Sequence, residues 1–309
     1  MSNKQIDISV VIPVYGCDES LIDLYNRLTS VLKGIVKSYE IIFVDDCGIG
    51  NPWKIIKEIS INDNSVHGLK LSRNFGQHAA IIAGLEKSIG DWIVVMDCDL
   101  QDRPEEIIKL YDTSQKSVDI VFAQRVDRRD SFFKRVSSKL FYKVLGYLTD
   151  TKLDASIANF GIYSRKVIDA VLSMKETHKI LPIMVRWVGF SSISVKVKHA
   201  ARRHSASSYT VIKLIRLSLD IVISFSDKPL RLIIKVGFFI SFLSGVYAIK
   251  IIYFALVNSI SVLGWTSMMV SMWFIGGLLV SIIGVVGLYV GKNFDETKFR
   301  PVYIIDECI

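Results

Sequence analysis

The chain has 309 residues, half of them hydrophobic, and a formal net charge of +8. A basic balance is typical of proteins that meet nucleic acid, an anionic lipid surface or phosphate-bearing ligands. Because no DNA- or RNA-binding motif accompanies the charge, we expect no nucleic-acid partner. No charged residue occurs from Ile251 to Gly291, whereas the first 230 residues carry mixed charge, so the sequence predicts a soluble part of roughly 200 residues and a membrane part.

The soluble part predicts strands that alternate with helices. Apolar, β-branched runs predict buried strands at 8–14, 40–44, 66–71, 92–96 and 119–123. Helical patterns separate these strands at about 19–36, 52–62, 77–89 and 104–116. The first run is broken by Pro13 too soon for a signal peptide. This alternation predicts a parallel sheet with helices on both faces, which binds ligands at the carboxyl ends of its strands.

The rest of the chain predicts membrane-associated helices. A helical stretch at 131–148 is followed by strand-like and helical pieces, and 209–225 has the pattern of a helix lying in the membrane interface. Two apolar stretches, 236–257 and 265–290, each reach the roughly 20 residues needed to cross a bilayer. Lysines and arginines flank the pair on both sides, so the positive-inside rule places both ends in the cytoplasm.

Acidic side chains follow two of the predicted strands. Asp45 and Asp46 end the second strand, and Asp97-Cys98-Asp99 follows the fourth. Two carboxylates one residue apart beside a buried strand can hold a divalent cation that also binds a diphosphate. Surface turns also use such a pair, and Asp46 could instead cap the following helix.

Basic residues occur at the same predicted edge and before the interfacial helix. Arg73 and Gly76 lie in a strand-to-helix loop where a guanidinium could meet a phosphate. Two further groups could bind phosphate: Arg125, Arg128 and Arg129, then Arg202, Arg203, His204, Ser205, Ser207 and Ser208. A solvated surface is the alternative interpretation for each group.

The cysteines and histidines carry no metal pattern. Cys17, Cys47, Cys98 and Cys308 show no C-x-x-C spacing, and we expect four reduced thiols. The histidines form no H-E-x-x-H sequence; His178 is the one to watch, with a structural role favoured.

Several stretches, in order along nearly the whole chain, carry a family pattern: VVIPVY (10–15), EIIFVDD (40–46), LKLSRNFGQHAAIIAGL (69–85), MDCDLQDRPE (96–105), RVSSKLFYKVL (135–145), NFGIYSRKVIDAV (159–171), RWVGF (186–190), SFSDKPLRL (224–232) and KFRPVYIID (298–306). Taken together, these stretches resemble the inverting family-2 glycosyltransferases of the polyprenyl-phosphate sugar synthase type, such as dolichyl-phosphate mannose synthase and bactoprenol glucosyltransferases.

The resemblance implies a GT-A (Rossmann-like) α/β fold with a C-terminal pair of transmembrane helices. It implies contacts to the nucleotide, binding of Mg²⁺ or Mn²⁺, and contacts to the phosphate of the donor or acceptor. The candidate nucleotide contacts are Pro13, Tyr15, Asp45, Asp46 and Asp97. The candidate metal ligands are Asp97 and Asp99, with Gln101 near the donor. The candidate phosphate and acceptor contacts are Arg73, Arg125, Arg135, Ser138, Arg202 and Ser207.

The sequence departs from the family pattern at three places. Gly16, Cys17 and Asp18 stand where PVYNEE is usual, and Gly48 and Gly50 replace a usual serine and aspartate. Many members carry D-x-G-D-F-R with a proposed catalytic acid, whereas residues 156–161 read SIANFG. Asn159 is our catalytic candidate there, with Asp154 as a fallback.

The resulting hypothesis is transfer of a sugar to a polyprenyl phosphate, with undecaprenyl phosphate and UDP-glucose as first choice, at the cytoplasmic face of a bacterial inner membrane. A cytoplasmic catalytic domain is expected over 1–208, an interfacial region over 209–235, two spans within 236–291 and a tail over 292–309. The resemblance also implies a homo-oligomer, a tetramer in some members, a flippase partner and a role in O-antigen or envelope modification. The rival hypotheses are a processive polysaccharide synthase, which would carry Q-x-x-R-W and more spans, and an inactive membrane scaffold.

Overall fold

The computed structural model describes residues 6–125, 157–176, 179–200, 228–257 and 264–309. They fall into two compact units. One contains the sheet and the last ten residues of the chain, and the other contains two long apolar helices. The helices predicted at 131–148 and 209–225, and His178, lie outside the described residues.

The sheet-containing unit alternates strands and helices in its first half, as predicted. Its strands are β1 (Ile8–Val14), β2 (Tyr39–Asp45), β3 (Val66–Leu71), β4 (Trp92–Val95), β5 (Ile120–Arg125), β6 (Ile157–Ser164), β7 (Ser192–Val197) and β8 (Ile305–Cys308). Its helices are α1 (Asp18–Ile35), α2 (Pro52–Asn62), α3 (Gln77–Lys87), α4 (Glu106–Ser114), α5 (Arg165–Ser173) and α6 (Leu181–Trp187).

The strands form one sheet in the order β7-β5-β6-β4-β1-β2-β3-β8. The five strands predicted from the sequence, β1 to β5, all run in one direction, as expected. Two further strands make the sheet mixed, since β6 runs antiparallel to β4 and β5, and β8 runs antiparallel to β3. The start of β6 lies beside the end of β5, with Ile157 opposite Gln124. The chain therefore leaves and re-enters the sheet at the same edge, and a strand that begins there must run backwards.

Two apolar layers hold the sheet between helices. Every residue of β1 is buried, and successive side chains point to opposite faces, so that Val10 and Ile12 join one layer and Val11 the other. Helix α1 covers the first face with buried leucines at 21, 24, 28 and 32, the spacing of an apolar helical stripe. Helix α3 lies close to the second face, where a Cβ at Gly84 would come within 2.3 Å of Val11 Cγ1.

The last residues of the chain return to the sheet. Strand β8 pairs with β3, and the backbones of Gly68 and Ile309 exchange two hydrogen bonds of 3.0 Å. Glu307 accepts a hydrogen bond from the Trp53 indole at 3.1 Å and forms an ion pair with Lys57. Segment 292–309, expected to be a tail, thus contributes an edge strand.

In the described part of the chain, the other unit contains α7 (Lys228–Val257) and α8 (Trp265–Thr297). These helices contain the two stretches that the sequence predicts as membrane spans. Within the described ranges, one helical stretch, Phe274–Thr297, has the length and hydropathy needed to cross a bilayer. The pair of spans therefore stays a prediction.

Candidate active site

The carboxyl ends of β1, β2 and β4 meet at one edge of the sheet. Val14 and Asp45, the last residues of β1 and β2, lie opposite each other, and Val11 lies opposite Val95 near the end of β4. Both predicted carboxylate pairs therefore lie at the same edge, as expected. Tyr15 is half-exposed there, whereas Pro13 is buried within β1.

Asp46 shapes the loop between β3 and α3. Its side chain is buried, and its two carboxylate oxygens accept hydrogen bonds from the backbone N–H groups of Phe75 and Gly76, at 2.7 and 2.9 Å. Burial raises the pKa of Asp46, and these two hydrogen bonds oppose the rise. The Asp46 carboxylate thus binds the backbone just before α3. It does not cap α2, the helix that follows it in the sequence, whose N-cap is Asn51.

Asp45 is buried beside Asp46. Burial is the largest cause of its raised pKa, and hydrogen bonding by the Gly48 backbone N–H opposes it. Gly48 lies against the loop that follows β1, since a Cβ at this position would come within 2.7 Å of Gly16 N and 3.0 Å of Tyr15 Cα. This close approach accounts physically for a glycine where the family usually has a serine.

Arg73 lies in the loop that Asp46 holds. Its guanidinium is exposed, stacks 4.1 Å from the centre of the Phe75 ring, and donates to the Asn74 carbonyl oxygen at 3.3 Å. The loop ends at Gly76, whose φ of 95° is a left-handed value that favours glycine. A guanidinium held this way at the sheet edge can meet a phosphate.

Gln77 is a residue of this site that the sequence analysis missed. It is the first residue of α3, and its Nε2 donates a hydrogen bond of 2.6 Å to Asp97 Oδ1. Its position directly after the loop Arg73-Asn74-Phe75-Gly76 could have indicated a residue near the site. The sequence pattern alone did not show that its partner is Asp97. Asp46, the loop and Gln77 thus connect the two carboxylate pairs.

The Asp97-Cys98-Asp99 segment ends in a tight turn. Asp99 Oδ1 accepts a hydrogen bond from the backbone N–H of Gln101 at 3.1 Å, and Leu100 between them has a φ of 60°. A left-handed leucine costs about 1–2 kcal/mol. The Gln101 carbonyl oxygen accepts a hydrogen bond from the Ala200 N–H at 3.0 Å, which ties this turn to the segment after β7.

A cavity of about 460 Å³ opens beside Asp99. It is lined by Arg27, Asp99, Leu100, Arg103, Glu105, Glu106, Lys198 and Ala200. There Arg27 forms a bidentate salt bridge with Glu105, in which both N–O distances are 2.8 Å. The cavity is large enough for a small polar ligand and presents charges of both signs.

The two acids fit a cation that arrives with a diphosphate. In the described part of the chain, no group of three or more histidine, cysteine, aspartate or glutamate side chains is placed to hold a metal. Mg²⁺ commonly binds through one or two carboxylates, with substrate phosphates and water completing its coordination. Asp97 and Asp99 supply hard oxygen donors of this kind.

The expectation of four reduced thiols is wrong for one pair. Cys17 and Cys98 are joined by a disulfide, with Cα atoms 6.1 Å apart, although 81 residues separate them in the sequence. They follow β1 and β4, which are neighbours in the sheet, so the fold brings together residues whose sequence spacing carries no pattern. Cys47 and Cys308 are free.

The remaining candidates lie on other elements or outside the described residues. Asn159 lies in β6, two residues before Gly161, which pairs with Val95 at the end of β4. Arg125 ends β5, opposite Val197 of β7. The described ranges do not include Arg128, Arg129, Arg135, Ser138, Asp154, Arg202 or Ser207.

A sheet of this topology with acids at its carboxyl edge defines the class as a GT-A-like α/β protein. The family model described as Glycosyl transferase family 2 matches residues 9–172. The chain belongs to this family.

Curated relatives match over almost the whole chain. An uncharacterized glycosyltransferase of Bacillus subtilis, YkcC, is 33% identical over 306 residues, which cover 99% of this chain and 95% of the relative. The undecaprenyl-phosphate 4-deoxy-4-formamido-L-arabinose transferase of Proteus mirabilis is also 33% identical, over 98% of this chain and 94% of the relative.

Among solved structures, the fold is similar to that of glucosyl-3-phosphoglycerate synthase from Mycobacterium tuberculosis. That protein was crystallised with Mn²⁺, uridine diphosphate and phosphoglyceric acid. The match has a TM-score of 0.50 at 15% identity and covers 71% of this chain and 77% of the other. At this identity the similarity supports the fold alone.

Proposed function

We propose that the protein transfers one sugar from a nucleotide donor to a polyprenyl phosphate, with inversion at the sugar's anomeric carbon. The observation that carries the proposal is the pair Asp97 and Asp99 at the carboxyl edge of the sheet, with a polar cavity beside Asp99. Relatives named as undecaprenyl-phosphate sugar transferases support the acceptor. UDP-glucose as donor and O-antigen or envelope modification rest on the family resemblance.

The chain's own residues would bind and orient the reactants. Asp97 and Asp99 would hold Mg²⁺ or Mn²⁺, which when bound neutralises charge on the leaving nucleoside diphosphate. Arg73, Arg125 and the basic residues outside the described ranges would bind phosphate. An acceptor phosphate oxygen forms the new bond to the anomeric carbon as the bond to the diphosphate breaks.

A strong general base is not required in this scheme. A phosphate monoester has a second pKa near ~6, so the acceptor is largely a dianion at neutral pH. Asn159, on β6 close to the end of β4, would orient that dianion by hydrogen bonding. This accounts for activity without the acids that the family usually carries at 156–159.

We also propose that α7 and α8 both cross the membrane. Strand β3 precedes these helices, β8 follows them, and the two strands are hydrogen-bonded in one sheet. The chain between them must therefore cross a bilayer an even number of times. An apolar stretch long enough to cross a bilayer, Phe274–Thr297, is present among the described residues, so two crossings fit better than none. The positive charges on both flanks support a cytoplasmic location for the sheet.

Cysteine labelling tests this topology. In a chain with all four native cysteines replaced by serine, a membrane-impermeant maleimide should label Ser261→Cys in intact cells. Thr297→Cys, the matched control at the last residue of α8, should label only after permeabilisation. Labelling of both positions only after permeabilisation would contradict the two-span proposal.

The lipid product tests the function. Purified full-length protein, supplied with undecaprenyl phosphate, Mg²⁺ and a panel of nucleotide sugars, should yield a lipid whose mass increases by one sugar. A ladder of masses would support the processive synthase instead. No sugar-bearing lipid with any donor or metal would favour the inactive scaffold.

Gln77 should matter for how the donor is held. Gln77→Ala removes a hydrogen bond to a charged group, so we expect kcat/KM for the donor to fall about 10- to 100-fold. The concentration of Mn²⁺ that gives half-maximal activity should rise as well, because Asp97 loses its fixed orientation. Gln115→Ala, at an exposed glutamine after α4, is the matched control. If the two variants had the same kcat/KM and the same Mn²⁺ requirement, Gln77 would not be a residue of the donor site.

A further inference from the structure

The disulfide joins two parts of the candidate site. Cys98 lies between Asp97 and Asp99, and Cys17 follows Tyr15 by two residues, in the loop after β1. The bond therefore links the acidic segment to the loop with the predicted nucleotide contact. Neither the proposed transfer reaction nor the fold assigns a function to this covalent link.

We propose that Cys17 and Cys98 form a reversible redox site that controls donor turnover. The inference rests on the proposed function and on the cytoplasmic placement of the sheet, since disulfides in that compartment are usually transient and catalytic or redox-sensing. The reductant is a dithiol. One of its thiolates attacks a sulfur of the disulfide, and its second thiolate resolves the mixed disulfide. Two electrons and two protons pass to the protein, which gains two thiols while the dithiol becomes a disulfide.

The two sulfurs differ in access. Cys98 is 5% exposed and packs in the apolar layer that contains Val10 and Ile12, whereas Cys17 is partly exposed at the start of α1. A reductant therefore reaches the Cys17 sulfur, and Cys98 is the leaving thiolate.

Reduction should leave the fold intact. The Ser20 hydroxyl lies 2.9 Å from the Cys17 carbonyl oxygen and 2.7 Å from the Cys98 carbonyl oxygen, so it connects the same two segments without the sulfurs. The neighbouring strands β1 and β4 remain hydrogen-bonded as well. What reduction changes is the freedom of the two loops to separate.

The oxidised form should bind donor more tightly and release product more slowly. A cross-link between two ligand-binding loops lowers the entropy lost on binding. Release of the nucleoside diphosphate needs loop opening, which often limits kcat. We expect KM for the donor and kcat both to be roughly fivefold lower in the oxidised protein, within the usual range of regulatory coupling.

The test combines thiol counting with kinetics. In full-length protein with Cys47 and Cys308 replaced by serine, alkylation and mass spectrometry should find no reactive thiol before dithiothreitol treatment and two afterwards. Kinetic constants should shift as stated in this background. Adding Cys17→Ser, which cannot cross-link, should give the reduced values under both conditions.

The redox proposal and the proposed function can fail separately. Thiol counting and the affinity for UDP with Mn²⁺ need no sugar transfer, so they report on the redox site even if no acceptor is glycosylated. The proposal is overturned if dithiothreitol leaves the disulfide intact in the folded protein. It is also overturned if the Cys17→Ser variant responds to dithiothreitol as its parent does.

Discussion

Replacing Asp99 by asparagine should lower sugar transfer at least about 100-fold, because a metal site stabilises the transition state by several kcal/mol. Asparagine keeps the side-chain shape. Its amide oxygen can still accept the hydrogen bond that the Gln101 N–H donates to Asp99 Oδ1 at 3.1 Å. The turn should therefore persist while the negative charge is lost. Initial rates of sugar transfer at saturating donor and metal measure the effect.

An exposed aspartate provides the control for Asp99. Asp112→Asn on α4 removes the same charge away from the sheet edge and should leave both rate and thermal stability unchanged. If Asp99→Asn retained the wild-type rate at limiting Mg²⁺ and Mn²⁺, the carboxylate would not be a metal ligand. A large fall in melting temperature for Asp99→Asn would instead assign it a structural role.

Replacing Asp46 by alanine should affect stability first and activity second. Two backbone N–H groups lose their buried acceptor, at an expected cost of about 2–3 kcal/mol in the free energy of unfolding. For a unit of this size the melting temperature should fall by about 4–12 °C. Thermal unfolding of the purified full-length protein in detergent measures this fall.

The activity of the Asp46 variants tests whether Asp46 acts on Asp97 through the loop and Gln77. Asp46→Asn keeps one acceptor oxygen and should fall between alanine and wild type in stability. If the loop positions Gln77 against Asp97, both variants should raise the Mn²⁺ requirement at temperatures where they remain folded. Wild-type melting temperature and metal dependence in Asp46→Ala would contradict the role assigned to this carboxylate.

The strands and the acidic edge were predictable because local patterns determine them. The run ISVVIPV is apolar throughout since β1 is buried on both faces, and a carboxylate directly after such a run must lie at the strand's carboxyl end. Asp45 and Asp97 could therefore be placed from the sequence. The stripe of leucines on α1 likewise determined which face of that helix is buried.

The other features depend on contacts between residues far apart in the sequence. The direction of β6 follows from where the chain re-enters the sheet, and β8 pairs with a strand more than 230 residues earlier. The Cys17–Cys98 bond and the Gln77–Asp97 hydrogen bond join residues on different strand–helix units. No spacing within one segment reports such pairs, so the pattern analysis predicted free thiols at Cys17 and Cys98 and missed the contact of Gln77 with Asp97.

The most direct test of the central claim measures whether a lipid phosphate drives release of the nucleoside diphosphate. Purified protein with Mg²⁺ and its preferred nucleotide sugar should release the diphosphate rapidly only when undecaprenyl phosphate is present. That release should stop with EDTA and in Asp99→Asn. Release at the same rate without undecaprenyl phosphate, or in Asp99→Asn as in wild type, would contradict the account.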